Sequence, residues 1–556
     1  MYADQILYGI IYTGNEECPE AHAAAVKDGV FIAVGEKEDV ASFIGPDTEV
    51  TECESGCILP SFCDGHAHAT TTVTLAGASL YGLKTVEEYL QAISSYVKEN
   101  PNKKVFVGKG YISGVFDEVG PRAEMLDGIC NDGRYMILYS EDCHSTWVNS
   151  ACLRALGITK DSKDPKDGRI VKDPVTGEPT GWLIETAQNP VEDLLPPYTV
   201  EDYKEGILTY QKMALSQGIT RIFEPFFIIH QDAELRVEAY RQLEAEGALH
   251  LTVRLGLPIQ SDDDAKAEME RAIHLRELTK DLAHVRLDTI KLFTDGVIEN
   301  HTAFLRDVYC DSDPALNDHG EPLWTKEALN DIVTTAVKNE FHVHIHCIGD
   351  AASDMALDAF EAANAACPGN RSRFAMTHLQ ILHPEQIRRM ADLKVFAVVN
   401  PYWHFKDPLY FPVIEVPYLG EERAEEEYPM KALVDAGLIL SQASDFPVTV
   451  PAEPFTSLQL MVNRKRQDYM DLPALRPEQA LTVKEALSAL TLGGCAQMGL
   501  GEHKGMISVD KDADYIMIDS DAFKTKPTEL YAMKVLKTVI GGREVWSVSS
   551  NEESLL

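Results

Sequence analysis

Two histidines, His66 and His68, close the run Ile58-Leu-Pro-Ser-Phe-Cys-Asp-Gly-His-Ala-His68. In extended backbone, side chains two residues apart share a face. Two imidazoles on one face can clamp a divalent metal. Alone, such a pair is weak, because an ordinary polar loop gives the same pattern. Further apolar runs end in the same chemistry, however. Residues 341–346 end at His346, 374–378 end at His378, and 438–441 are followed by Asp445. His342 and His344 share the parity of His346 but lie deeper, and read as inward polar residues satisfied inside the fold. A further run, 287–293, carries Lys291 among apolar neighbours. Burying an ammonium without a partner is costly. Either its amine is neutral and takes up CO2 as a carbamate, an anionic ligand able to bridge two metals, or it is an ammonium paired with Asp295 or Glu185.

These residues need a scaffold that brings distant run ends together. Eight strand-length apolar runs stand in the middle of the chain, at 58–63, 219–223, 251–257, 287–293, 341–346, 374–378, 395–399 and 438–441. Helical patterns separate most of them, which is the signature of β/α units and a parallel sheet. Eight units predict an α/β fold, a TIM-type (β/α)8 barrel with its site at the C-terminal strand ends. The barrel is expected over 58–495, with 69–218 as a large insertion after the first strand that holds helices and one further strand at 135–139. Short β-like runs at both chain ends, 1–57 and 496–556, predict one small composite β-sandwich domain.

Composition narrows the function classes. Fifty Lys and Arg against 88 Asp and Glu give a formal charge of −38. Such acidity argues against a nucleic-acid partner or an anionic membrane surface. No run approaches the ~18 apolar residues that span a bilayer. Eleven cysteines without a CxxC pair predict free thiols, and Met1-Tyr-Ala-Asp-Gln lacks signal-peptide features, so a cytoplasmic protein is expected.

Taken as a set, the motifs resemble the metal-dependent amidohydrolase superfamily, and within it the amidohydrolase-3, YtcJ-like group that includes N-substituted formamide deformylases. The resemblance rests on Leu59-Pro-Ser-Phe-Cys-Asp-Gly-His-Ala-His68, Asn149 after His144, Gly181-Trp-Leu-Ile-Glu185, Lys291-Leu-Phe-Thr-Asp-Gly296, His346-Cys-Ile-Gly-Asp-Ala351, His378 and Ser444-Asp-Phe-Pro447. Late in the chain, Lys504-Gly-Met-Ile-Ser-Val-Asp-Lys-Asp-Ala-Asp514-Tyr resembles the segment that re-enters the β domain. The likeness implies metal ligation by His66, His68, His346 and His378, with carboxylated Lys291 as a bridge. It implies that Asp445 binds metal and shuttles a proton. The implied cofactor is a divalent ion, Zn2+ being the expected one, in one or two copies. Two departures stand out: Asn400-Pro401 where many relatives carry Gln before Pro, and Cys63 before the histidine pair.

The expected activity is hydrolysis of a non-peptide C–N bond, of amide or N-substituted formamide type, by a metal-activated water. Asp445 can take a proton from that water and return it to the leaving amine. His144 is the candidate donor to the oxyanion. Glu185 contacts substrate or metal, or else pairs with Lys291. A deaminase or cyclic-amide hydrolase would use the same cluster. A non-catalytic interaction protein is disfavoured, because all six ligand positions are kept. Trp403 and His404, within Pro401-Tyr-Trp-His-Phe405, are expected at the substrate pocket, with Phe223, Phe226 and Phe227 as further aromatic candidates or core residues. The expected partner is a small-molecule substrate; a homodimer is also entertained.

Overall fold

The computed structural model describes residues 1–75, 77–117, 119–166, 168–226, 232–313 and 315–548. Eight parallel strands stand side by side in chain order. They are β1 (Phe62–Asp64), β2 (Ile219–Pro225), β3 (Thr252–Pro258), β4 (Val285–Phe293), β5 (His342–Cys347), β6 (Phe374–His378), β7 (Phe396–Val399) and β8 (Leu440–Gln442). Gly65 N donates to Gln442 O at 2.7 Å, bringing the first strand against the last. The ring is thus a nearly closed parallel barrel, the TIM type that the eight runs predict. Its strands are near-continuous apolar runs because both of their faces are covered.

The covering helices show why their sequences fold as they do. In the helix Lys326–Lys338, Leu329, Ile332, Val333, Ala336 and Val337 are buried, a spacing of three and four that lines one face. Thr325 caps that helix, its hydroxyl accepting from Ala328 N at 3.2 Å. The other face carries Lys326, Glu327 and Lys338 to solvent. Helix faces of this kind and the outward strand residues merge into one large core around the barrel.

The run at 58–63 is not one strand. Cys57–Pro60 leaves the barrel and pairs antiparallel with Tyr515–Ile518, Pro60 opposite Tyr515. Only Phe62–Asp64 pairs with β2. Pro60 has no N–H to continue a ladder, and Ser61 turns its hydroxyl to Thr220 at 2.9 Å, so the chain changes partners there. Strands from both chain ends meet in one eight-stranded sheet, in which Cys57–Pro60 lies between Gln5–Tyr12 and Tyr515–Ile518. A buried ion pair, Arg221 with Asp514 at 3.0 Å, ties β2 to that sheet.

The segment after β1 also differs from expectation. Instead of one strand it holds a six-stranded sheet, in the order Gly168–Lys172, Pro179–Glu185, Ser145–Val148, Tyr135–Ser140, Val105–Tyr111 and Ala78–Ser79. The helix Val200–Ser216 packs against the helix Ala233–Ala245 and against β2, taking a place in the barrel's outer ring. All eleven cysteines are free thiols. No helix among the described residues is long and apolar enough to cross a membrane.

Candidate active site

Four imidazoles cluster at the C-terminal mouth of the barrel. His66 and His68 follow β1, His346 lies near the end of β5, and His378 ends β6; each is at most 5% exposed. Ring centroids lie 5.1 Å apart for His66 and His68, 5.4 Å for His66 and His378, and 4.5 Å for His346 and His378. Each ring has one nitrogen engaged on its outer side. His68 Nδ1 meets Pro225 O at 2.7 Å, His346 Nε2 meets Gly296 O at 2.9 Å, and His378 Nδ1 meets Asn400 Oδ1 at 3.0 Å. A carbonyl can only accept, so the engaged nitrogen of His346 and of His378 carries the proton and the other keeps its lone pair. His66 Nδ1 meets His344 Nε2 at 2.9 Å. Burial pushes His66, His346 and His378 well below the ordinary histidine range, which keeps them neutral.

Asp445 closes the cluster from the turn after β8. Its Oδ1 lies 3.0 Å from His68 Nε2 and 3.4 Å from His66 Nε2. The two segments are joined through backbone, Asp445 N donating to His66 O at 2.8 Å and His68 N to Phe446 O at 2.7 Å. Asp64 pins the same junction, accepting from Ser444 N at 3.0 Å and from its hydroxyl at 2.5 Å. Burial holds the Asp64 carboxyl up at about 7. Asp445 (φ 55°) and His378 (φ 76°) both adopt left-handed backbone. Each such residue costs of the order of 1–3 kcal/mol, a strain concentrated at functional sites.

Lys291 sits on β4 beside His344 of β5 in the strand register. It is 1% exposed, and its Nζ has no hydrogen-bond partner among the described residues. Burial pushes this amine down to about 7. Neither carboxylate proposed as its counter-ion is in place. Asp295 accepts from Phe304 N, Ile348 N and Gly349 N at 2.8–3.1 Å. Glu185 faces His144 at 3.1 Å and accepts from Asn300 at 2.8 Å. Neutral imidazoles with outer nitrogens fixed, a carboxylate among them and an orphaned buried amine form a donor set that fits a divalent ion. The tightest trio is His66, His68 and Asp445, whose donor atoms lie within 4.8 Å of one another.

The sequence profile described as Amidohydrolase family matches residues 49–546. The chain belongs to that family. It is therefore an enzyme, a metal-dependent amidohydrolase acting on carbon–nitrogen bonds, with a small molecule as substrate. It is 28% identical to the protein YtcJ of Bacillus subtilis (strain 168), over 97% of this chain and 99% of that one. It is 26% identical to an N-substituted formamide deformylase of Arthrobacter pascens, covering 94% of each. A solved structure described as an uncharacterized metal-dependent hydrolase from Pyrococcus furiosus superposes with a TM-score of 0.70 at 25% identity, over 94% of this chain and all of that one.

In this amidohydrolase the cluster opens into a cavity of about 1310 Å3. His144 and Glu185, both from the inserted sheet region, line it and form an ion pair. Burial works against the charge on His144, but Glu185 outweighs it and raises the imidazole to about 10. His144 thus faces the cavity as a cation. Trp403 lines the cavity too, stacked on His378 with centroids 5.2 Å apart. His404 does not. It is fully buried behind the wall, because its ring lies flat against Tyr428 at 4.2 Å. Phe223 and Phe226 are core residues, Phe223 stacked on His344 at 4.6 Å. Phe227 lies outside the described residues.

Three contributors escape the sequence reading. Asn400, noted only as a departure, orients His378. His344, read as a satisfied interior residue, supports His66 and leaves its own Nδ1 unpartnered. Asp64 links the β1 end to Ser444. Parity was the available signal for His344, since it shares the inward row with His346.

Proposed function

We propose that this enzyme hydrolyses a non-peptide C–N bond in an amide or N-substituted formamide, with one or two Zn2+ ions held by His66, His68, His346, His378 and Asp445. The observation carrying this reading is the meeting of those five donors around a buried amine with no hydrogen-bond partner among the described residues. The ion, when bound, supplies Lewis acidity toward a carbonyl oxygen and toward water. The remaining chemistry belongs to the chain. Asp445, at the water-facing edge of the cluster, takes the proton from the attacking water and returns it to the leaving amine. His144, held cationic by Glu185, donates a hydrogen bond to the carbonyl oxygen as charge develops there. Trp403 provides an apolar face beside His378 for the substrate. Lys291, neutral in part near pH 7, attacks CO2 through its amine nitrogen; an N–C bond forms and one proton leaves, giving a carbamate that serves as anionic ligand. We further read the sheet of the chain ends as one wall of a composite β-sandwich, residues 1–57 and 496–556, in a cytoplasmic enzyme.

The decisive experiment joins metal analysis of the purified protein to a panel of amides and N-substituted formamides, with amine release as readout. Stoichiometric divalent metal and chelator-sensitive amine release are expected. Amine release that survives complete metal removal would sink the reading, and so would release of ammonia from amidines, or ring opening of cyclic amides, with no turnover of open-chain amides or formamides.

A further inference from the structure

The cavity wall is far more acidic than the chain that builds it. Thirteen Asp and Glu side chains line it against three Lys and one Arg, and one of those lysines is Lys291 in the metal cluster. The whole chain carries 88 acids to 50 bases, so the wall exceeds that ratio nearly twofold. Part of it gathers near Gln380, where the lining acids Glu299 and Glu415 meet Glu427 behind the wall. Gln380, two residues after His378, donates to one carboxylate oxygen of the fully buried Glu427 at 2.5 Å; the other oxygen has no hydrogen-bond partner. That side of Glu427 is set against Glu415, which lines the cavity, and Glu299 is the next acid along.

No lysine, arginine or histidine forms an ion pair with any of the three among the described residues. Arg464, the guanidinium behind them, spends its Nε on Leu475 O at 2.8 Å and reaches only the backbone oxygen of Glu427, at 3.5 Å. Burial lifts all three carboxyls: Glu299 to about 7, where Asp142 and Glu185 repel it and the His144 cation works the other way, and Glu415 and Glu427, packed against each other, above the usual carboxylate range. Grouping buried carboxyls without a counter-cation is unfavourable in the empty protein, and a positive ligand removes the imbalance. Aromatic faces stand in the same stretch of wall, from Trp403, Tyr410 and Tyr428. Acidic groups interleaved with aromatic faces make a host for an ammonium.

We propose that Glu299, Glu415 and Glu427, with Trp403, Tyr410 and Tyr428, form a subsite for an ammonium group carried by the substrate. Resting on the hydrolase reading above, the substrate class becomes amides that bear a cationic amine away from the scissile bond, such as a mono-acylated diamine. The placement explains the geometry. Gln380 and Trp403 both touch the subsite and the His378 neighbourhood, so an ammonium held there sets its carbonyl toward the cluster.

Binding can be tested without turnover. Choline and its uncharged isostere 3,3-dimethylbutan-1-ol are titrated calorimetrically into the full-length protein, metal-loaded and after chelation. Choline is expected to bind at least about tenfold more tightly in both states, with the preference shrinking as salt rises. Glu415→Gln and Glu299→Gln are each expected to cut choline affinity several-fold and to leave the isostere unchanged. Glu427→Gln joins the set if it folds; the two cavity-lining variants suffice if it does not. Equal affinity for the two probes overturns the subsite, as does unchanged choline binding in both variants. Choline binding by a protein that hydrolyses no amide would leave the subsite standing and remove the hydrolase reading. Amide hydrolysis with no preference for a mono-acylated diamine over the matching neutral amide would do the reverse.

Discussion

At the floor of the cavity, Pro225, Gly296 and Asn400 each offer an oxygen to the outer nitrogen of a histidine, and His344 supports His66. Along the wall near Gln380, Glu415 and Glu427 pack against each other with Glu299 close by, and among the described residues none of the three forms an ion pair. Both regions bury polar groups, yet the floor fixes each group's direction and the wall leaves its charge open. A floor of this kind is prearranged before anything binds, which favours chemistry. A wall of this kind gains most when something positive arrives, which favours selection. Changes at the floor should therefore act on metal content and kcat, and changes at the wall on affinity.

The largest effects are expected from the floor's own donors. His66→Ala and His346→Ala each remove a ligand worth several kcal/mol, so activity falls by ~10³-fold or more. Metal analysis should show the loss while circular dichroism shows an intact fold. Full activity in either variant would break the comparison at its root.

Lys291→Ala comes next, with ~10²-fold lower activity and reduced metal content, because a carbamate on the orphaned amine would add a second anion to the floor beside Asp445. Bicarbonate or a short carboxylic acid should restore part of both. An electron-density map gives the direct answer: a bare amine pointing at a carboxylate excludes the carbamate.

Asp445→Asn separates holding from proton transfer. It should lower kcat by ~10²-fold or more. Turnover equal to the wild type's, at unchanged metal content, would strip Asp445 of its shuttle role.

Asn400→Ala sharpens the idea of a directed floor, since it takes away the partner of His378 Nδ1 and, besides that, a long 3.5 Å contact to Ala443 O. A ~10-fold loss of metal affinity is expected, the lower end for an orienting partner. Titration with a fluorescent chelator measures it, and an unchanged affinity would show that the ring is held by packing alone.

The smallest effect concerns stability. His144 rises from 6.5 to about 10 in the folded protein, so its pairing with Glu185 stabilises fully below pH 6.5 and is lost as pH rises through about 10. The side chain is a quarter exposed, which weakens the pair. The Tm advantage of the wild type over Glu185→Gln, about 1 °C, should shrink between pH 7 and 10. A gap that is constant across that range would mean the pair is not ionic.

What sequence makes legible here follows from where the information sits. Barrel strands are buried on both faces, so Leu287-Asp-Thr-Ile-Lys-Leu-Phe293 or Phe374-Ala-Met-Thr-His378 announce themselves as apolar runs, and a histidine or lysine in such a run stands out. The strands of the inserted sheet are mixed in character. Val105–Tyr111 contains Gly108, Lys109 and Gly110, and Gly168–Lys172 carries charge at both ends, so neither shows a strand period. The donors of the site were legible one by one. Their orienting partners were not, since the carbonyls of Pro225 and Gly296 belong to every residue type alike. The open charge of the wall was equally hidden, because Glu299 follows β4 while Glu415 and Glu427 stand in the β7–β8 connection, and they meet only in the folded chain.

The change of partner at Pro60 carries a consequence for how the molecule comes into being. The strand that leads straight into His66 is locked by pairing with Tyr515–Ile518, near the opposite end of the chain. During synthesis that lock has no counterpart until Tyr515–Ile518 have left the ribosome. Contacts this far apart in sequence form slowly, after local units have already condensed. His66 and His68 are thus secured late, and the growing polypeptide has no finished catalytic centre before that segment has been made.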